Sequence, residues 1–246
     1  MSPRVFIINV GVNASHGSLR SPLFEDGSFV FVPIPETVKC PDSDLVPTYR
    51  EALPYALPYI PECCHTAKVH NDPEFETLTY GDFPETRGRA AALKHMEPGD
   101  YLCFLAPLVR WSGIGAGFTK EAGFYIVGYF QVAEVIKGVT DATPLSVLRR
   151  IRHSAHVKLA MCGVGGKGFW VIRGSPQSQL LPCAMPFDRE LADRVMRDRR
   201  GRPWKWREDQ SVLQTIGSYT RSCRMITGQA KTELLLDRIG RHATGA

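Results

Sequence analysis

The sequence predicts an α+β fold: a mixed, strongly curved β-sheet or barrel with peripheral helices. Two observations lead there. Residues 124–136 (Phe-Tyr-Ile-Val-Gly-Tyr-Phe-Gln-Val-Ala-Glu-Val-Ile) read as one long strand, and Gly128 inside it marks a bulge or a close backbone approach. A kinked strand of that length suits a barrel or a curved sheet. Strand-like and helix-like segments also fail to alternate regularly, which argues against a doubly wound parallel sheet. At 246 residues the chain can bury one sizeable core, so it is read as a single domain, 1–246, with 99–136 inside that core.

The elements follow in order. Residues 5–10 are a continuous apolar run and read as a buried strand. Residues 28–34 alternate and read as a second strand, ended by Pro33 and Pro35, which cannot donate to a ladder. Residues 36–47 read as loop. Residues 48–57 suit a short helix, with Thr48 as N-cap and Glu51 three residues on, the capping-box spacing. Residues 60–84 look irregular, with 75–80 a possible edge strand. Residues 85–95 suit a helix. A turn at Pro98-Gly99-Asp100 opens a strand at 101–105. After the long strand come a helix at 140–152, a strand at 167–172, and helices at 188–199, 209–216 and 232–239.

Composition narrows the class. Apolar content of 43% and charged content of 22% are those of an ordinary globular protein, and no apolar run approaches the ~20 residues of a membrane span. The start of the chain lacks a signal-peptide core, so a cytoplasmic location is expected. Seven cysteines form no regular framework, and Cys63-Cys64-His65 is their only cluster. Reduced, structural thiols are expected. Residues 1–123 hold 10 Lys/Arg against 15 Asp/Glu, and 124–246 hold 20 against 10. A second half with net charge +10 suits a polyanionic partner, or merely a soluble surface.

The densest chemistry lies just after the first strand. Asn13, Ser15, His16, Ser18, Arg20 and Ser21 fall within nine residues. Loops at strand ends are where binding groups concentrate. A Ser15, His16, Asp26 triad is rejected because the spacing is local and no nucleophile elbow is present. Residues 163–168 are glycine-rich but precede a strand and lack the Lys-Ser/Thr ending of a phosphate loop, so they read as a connection. On a helix His153 and His156 would share a face, with no third ligand nearby. No metal and no cofactor are expected, and His156 beside Lys158 is read as pointing into a polar site. Residues 197–207 carry six basic residues with Trp204 and Trp206, a pattern suited to phosphates and bases or to a solvated loop with buried indoles. Arg221 and Arg224 lie three apart among hydroxyls, able to grip a phosphate or to form surface ion pairs. Trp111 precedes the glycines at 113, 115 and 117 and suits stacking or packing.

Several of these strings resemble the nucleotide modification associated domain 3 family: Val10-Gly-Val-Asn-Ala-Ser-His-Gly-Ser-Leu-Arg-Ser-Pro22, Glu25-Asp-Gly-Ser-Phe29, Pro33-Ile-Pro-Glu36, Thr79-Tyr-Gly-Asp82, Gly99-Asp100 and Gly217-Ser-Tyr-Thr-Arg221. The resemblance spans most of the chain. It implies a role in phage or bacterial DNA base modification, with possible protein partners in such a system, and supplies no catalytic set. A weaker likeness, carried by 99–105 and 126–135, is to PUA-like domains, which bind RNA or modified bases in aromatic-lined pockets.

The expected function is therefore binding of a nucleic acid or nucleotide, DNA first. Asn13, Ser15 and His16 would meet a base edge or sugar, and Trp111 and Tyr219 would stack. His156, Lys158 and Thr220 would complete the pocket. Arg20, Arg202, Lys205, Arg221 and Arg224 would hold phosphate. Two alternatives stand beside it: an enzyme on a modified base or nucleotide with His16 or His156 as general base, and an interaction subunit of a modification system.

Overall fold

The structure is a computed structural model that describes residues 2–40, 43–164, 168–198 and 200–244. β1 (Val5–Asn9) is apolar without alternation, and Val5, Phe6, Ile7 and Ile8 are all buried. A strand covered on both faces has this pattern. The short β2 (Pro22–Leu23) and β3 (Ile34–Pro35) follow. α1 (Tyr49–Ala52) starts on the expected capping box, with Thr48 Oγ1 accepting from Glu51 N–H and the Glu51 carboxylate accepting from Thr48 N–H. β4 (Val69–His70) pairs antiparallel with β3. Next come β5 (Thr79–Asp82), a 3₁₀ stretch Gly88–His95, β6 (Tyr101–Trp111) and β7 (Phe118–Val139). The rest is α2 (Leu145–Arg150), α3 (Ala155–Met161), β8 (Phe169–Gly174), β9 (Gln179–Pro186), α4 (Arg189–Val195), α5 (Val212–Tyr219), β10 (Arg224–Ile226) and α6 (Gln229–Ala243).

One mixed sheet runs β10-β1-β6-β7-β8-β5, with β2 also on β6 and β9 also on β7. β1 and β6 are parallel, and β6 and β7 form the long antiparallel pair. β8 and β9 pair with successive stretches of β7, β8 at Val132–Val139 and β9 at Tyr125–Tyr129. The path has two ends, β10 and β5, so among the described strands it is an open sheet and not a closed barrel. Its register shifts between Phe104 and Leu105, opposite Gly128. A Cβ on Gly128 would lie 2.6 Å from the Phe75 ring and 2.7 Å from the Gln179 carbonyl oxygen. That is the close approach the glycine predicts.

β6 sorts the core by alternation. Leu102, Phe104, Ala106 and Leu108 pack with Phe6, Ile8 and Phe130 beneath Ala90, Leu93 and Met96. Cys103 and Leu105 join Val5 and Ile7 against Leu191, Val195, Ile216, Leu235 and Ile239 from α4, α5 and α6. Each Val, Leu, Ile, Phe or Met among them contributes roughly 1.5–3 kcal/mol on burial. Among the described residues no helix is long and apolar enough to cross a membrane.

The structure corrects several local expectations. Residues 28–33 do not form a strand, and of the expected segment only Ile34 falls in β3. Val30 and Val32 donate to Pro22 O and Ser21 Oγ, and within 28–33 only Phe29 makes a bridge, to Leu23. Pro35, expected to end a strand, sits in β3 facing Val69. The edge strand is β5, displaced from 75–80 because Glu74 gathers Glu76 and Thr77 N–H into a turn. The helix expected at 85–95 is a 3₁₀ stretch, and that expected at 140–152 shortens to α2 behind Pro144. β2, β4, α3, β9 and β10 had no expectation, and α3 begins at Ala155, so His153 precedes it and does not share its face with His156. Residues 165–167 of the glycine-rich connection, and Arg199, lie outside the described residues.

The cysteine expectation is also corrected. Cys40 and Cys162 form a disulfide, Cα to Cα 5.5 Å, joining the segment after β3 to the end of α3. Their 122-residue separation leaves no spacing pattern to read. Cys63, Cys64, Cys103, Cys183 and Cys223 are free thiols.

Candidate functional site

A cleft of about 1000 Å³ opens beside the C-terminal end of β1. Its lining comes from stretches within 8–16, 34–38, 70–89, 156–169 and 210–223, with Pro107 and Phe124 added singly. The first is the polar loop. Gly11 turns the chain at φ 72°, where a Cβ would lie 2.8 Å from the Phe31 ring. Asn13 then caps a 3₁₀ turn, Ala14–His16. Its Oδ1 accepts from Ser15 N–H at 2.9 Å and from Ser15 Oγ at 2.7 Å, while Asn13 N–H donates to His16 Nδ1 at 3.0 Å. Accepting at Nδ1 requires that nitrogen to be unprotonated, which leaves Nε2 as the donor of the neutral ring. Partial burial lowers the His16 pKa. Much of the loop's polarity therefore serves the loop itself.

The floor combines β4, β5 and α3. His156 is buried on α3, with the rings of Phe83 and Phe169 5.2 and 5.6 Å away. Gly81 makes room for it: a Cβ there would lie 2.5 Å from His156 Nδ1. The buried Asp72 accepts from Gly81 N–H at 3.1 Å and faces two imidazoles, His156 Nδ1 at 3.5 Å and His70 Nε2 at 3.9 Å from its Oδ2. His70 Nδ1 lies 2.7 Å from Glu36 Oε2. Burial pushes the Asp72 carboxyl well above the ordinary carboxylate range, and burial followed by the neighbouring His70 holds His156 well below the ordinary histidine value. His70, Asp72 and His156 offer one ligand atom each, all within 4.8 Å of one another.

Beside them, the fully buried Asp82 accepts from Tyr80 Oη at 2.9 Å, Phe83 N–H at 2.8 Å and Arg89 at 3.3 Å. Arg87 lies over the Phe83 ring, 4.4 Å from its centroid. Arg87 and Arg221 both line the cleft, and neither has a carboxylate partner among the described residues. Two imidazoles, a buried carboxylate and exposed guanidiniums thus share one concavity.

Of the residues expected from sequence, Asn13, Ser15, His16, His156 and Arg221 line this cleft. The others lie outside its lining. Arg20 donates to the Gly17 and Leu19 carbonyls at 2.6 and 2.7 Å. Trp111 packs edge-on with Tyr59 and Phe118. Tyr219 stacks on the buried Trp204 at 4.6 Å and accepts from Lys205 N–H. Trp206 donates to Asp193. Thr220 is buried, donating to Ile216 O and accepting from Asn9. Arg202 pairs with Asp198 at 2.9 Å, and Arg224 donates to Tyr219 O. Lys158 is half-buried on α3, where desolvation lowers its pKa. Glu36, His70, Asp72, Arg87 and Arg89 had no expectation. The His70-Asn71-Asp72 spacing was the available signal, hidden in a stretch without periodicity.

A family model described as nucleotide modification associated domain 3 matches residues 4–215, while Arg221, β10 and α6 lie beyond the match. No curated protein and no solved structure matches the chain. The matched stretch covers most of the sequence and includes the polar loop and the whole His70, Asp72, His156 floor, so the chain belongs to the nucleotide modification associated domain 3 family.

Proposed function

We propose that the cleft binds a nucleotide unit, in DNA first, and reads its base. The observation that supports this is the meeting of the Asn13–His16 loop with Arg87 and Arg221 around one cavity. The Asn13 amide nitrogen and His16 Nε2 offer hydrogen bonds to a base edge or sugar. Arg221 and Arg87 offer charge to a phosphate. The stacking surface is Phe83 with the Arg87 guanidinium laid on it, because Trp111 is packed edge-on against Tyr59 and Phe118 and Tyr219 is stacked on Trp204. A base taken out of a duplex is read by this mixture of edge contacts and stacking. A PUA-like relation adds little, since the cleft lining meets residues 99–136 at Pro107 and Phe124 alone.

The test is fluorescence anisotropy at low salt with single-stranded and duplex oligonucleotides, plain and base-modified, alongside free nucleotides. Arg221→Ala is expected to weaken binding about 10-fold and to flatten the salt dependence by about one counterion. Arg202→Ala, outside the cleft lining, is expected to change it little. Absence of binding at low salt, or equal loss in both variants, overturns the reading.

A second reading, an enzyme acting on that base, is favoured by one observation: the Glu36, His70, Asp72 and His156 array at the floor of the cleft, where burial shifts the Asp72 and His156 pKa values away from their ordinary ranges. Conversion of a modified nucleoside, followed by mass spectrometry and lost in His156→Ala, separates it from binding alone.

A further inference from the structure

We infer that His70, Asp72 and His156 form a binding site for a divalent transition-metal ion, with further coordination positions open to the cleft. The inference stands independently of what the cleft binds.

Four observations carry it. The imidazole rings lie 4.7 Å apart at 78°, and a nitrogen of each points at the same carboxylate oxygen, Asp72 Oδ2, from 3.5 and 3.9 Å. Ligands held at the ~2.0–2.2 Å of a metal bond sit about 3.0–3.5 Å apart, and the three ligand atoms lie within 4.8 Å of one another, so side-chain shifts of about one to two ångströms close the set. Second, His156 Nδ1 is buried without a hydrogen-bond partner, on a side chain only 8% exposed. Such orphaned atoms are rare, and a cation placed between this nitrogen and the Asp72 carboxylate would satisfy both. Third, two of the three ligands are braced from behind. Glu36 at 2.7 Å holds His70 Nδ1 and turns Nε2 toward Asp72, and Gly81 N–H holds Asp72 Oδ1. A carboxylate on the far nitrogen of a ligating histidine is the usual outer support of a metal centre. Fourth, the charge fits. Asp72 is buried with no arginine hydrogen-bonded to it among the described residues, whereas the adjacent Asp82 has Arg89.

The donor set names the class of ion. Two imidazoles and one carboxylate favour iron(II), cobalt(II), nickel(II) or zinc(II) over magnesium and calcium, which prefer oxygen. Three protein ligands leave the remaining positions to water or a ligand, as in reactive centres and unlike closed structural zinc sites. The three residues and Glu36 all line the cleft.

The experiment is a titration of the chelator-stripped full chain with cobalt(II), reading visible ligand-field absorption, with zinc(II) as competitor in calorimetry. One cobalt(II) per chain is expected. His70→Ala, His156→Ala and Asp72→Asn are each expected to weaken it at least ~100-fold, and Glu36→Gln by about 10- to 100-fold with a changed spectrum. His153→Ala, and Cys63→Ser with Cys64→Ser, are expected to leave uptake unchanged. Circular dichroism checks folding. If His156→Ala does not fold, Glu36→Gln still decides, because it keeps the side-chain volume. No stoichiometric uptake by the unmodified chain overturns the inference. So does uptake that survives the His70 and Asp72 substitutions, or that vanishes with the two cysteines.

Discussion

Gly81 and His156 are fitted to each other, the imidazole occupying the space that any side chain on the glycine would fill, with Nδ1, Cγ and Cβ all within 3.1 Å of that point. The ring cannot simply swing away, because its own Cβ is part of the contact and Phe83 and Phe169 bound it. Gly81→Ala is expected to cost about 1–3 kcal/mol in urea denaturation. Gly88→Ala, with open space around it, is expected to stay within about 0.5 kcal/mol of the parent. Equal stability of the two variants would contradict the fit.

Asp82 is the acceptor for three donors from its own neighbourhood. Its loss leaves the buried Tyr80 hydroxyl without a partner. Asp82→Ala is expected to destabilise by about 3 kcal/mol, and Tyr80→Phe, which removes donor and demand together, by about 1 kcal/mol. Chemical denaturation of both, and of the double variant, checks the coupling between them.

The polar loop should be sensitive to acid. Burial lowers the His16 pKa below its ordinary 6.5 in the folded chain. The unfolded chain therefore takes up the proton first, and the stabilisation is complete above about 6.5 and fades as pH falls through the folded value. Protonation also removes the lone pair that accepts Asn13 N–H. Imidazole resonances followed by NMR should give a His16 midpoint below 6.5, with the Asn13 and Ser15 amides moving at the same midpoint. A His16 midpoint at or above 6.5 would contradict this account.

The thiol chemistry is countable. In denaturant without reductant, five cysteines should alkylate, and with reductant all seven. The peptide pair holding Cys40 and Cys162 should appear only in the unreduced digest. Cys40→Ser is expected to cost about 2–5 kcal/mol under oxidising conditions and little under reducing ones.

What could be read in advance was what local pattern encodes. The long β7 and its Gly128 are legible because a pleated, buried strand demands apolar residues and a close approach demands the absence of a side chain. The Thr48/Glu51 capping box is legible because both partners lie within one turn. The Asn13–His16 loop stood out by density, yet density does not say that Asn13, Ser15 and His16 satisfy one another first. The tryptophans at 204 and 206 sat among arginines in sequence, and only the fold shows Trp204 stacked on Tyr219. The floor was beyond reach for another reason. His156 meets His70 and Asp72 across more than eighty residues, and a helix-face argument looks only a few residues away.

The lining of the cleft is drawn from seven separated places along the chain, from Ile8 to Cys223. No contiguous fragment contains it, so occupancy and folding are thermodynamically linked throughout the chain. A ligand at about 100 times its dissociation constant would raise global stability by about 2.7 kcal/mol. Melting temperature thereby becomes a search instrument: metal ions, nucleotides and oligonucleotides can be ranked by thermal shift before any activity is known.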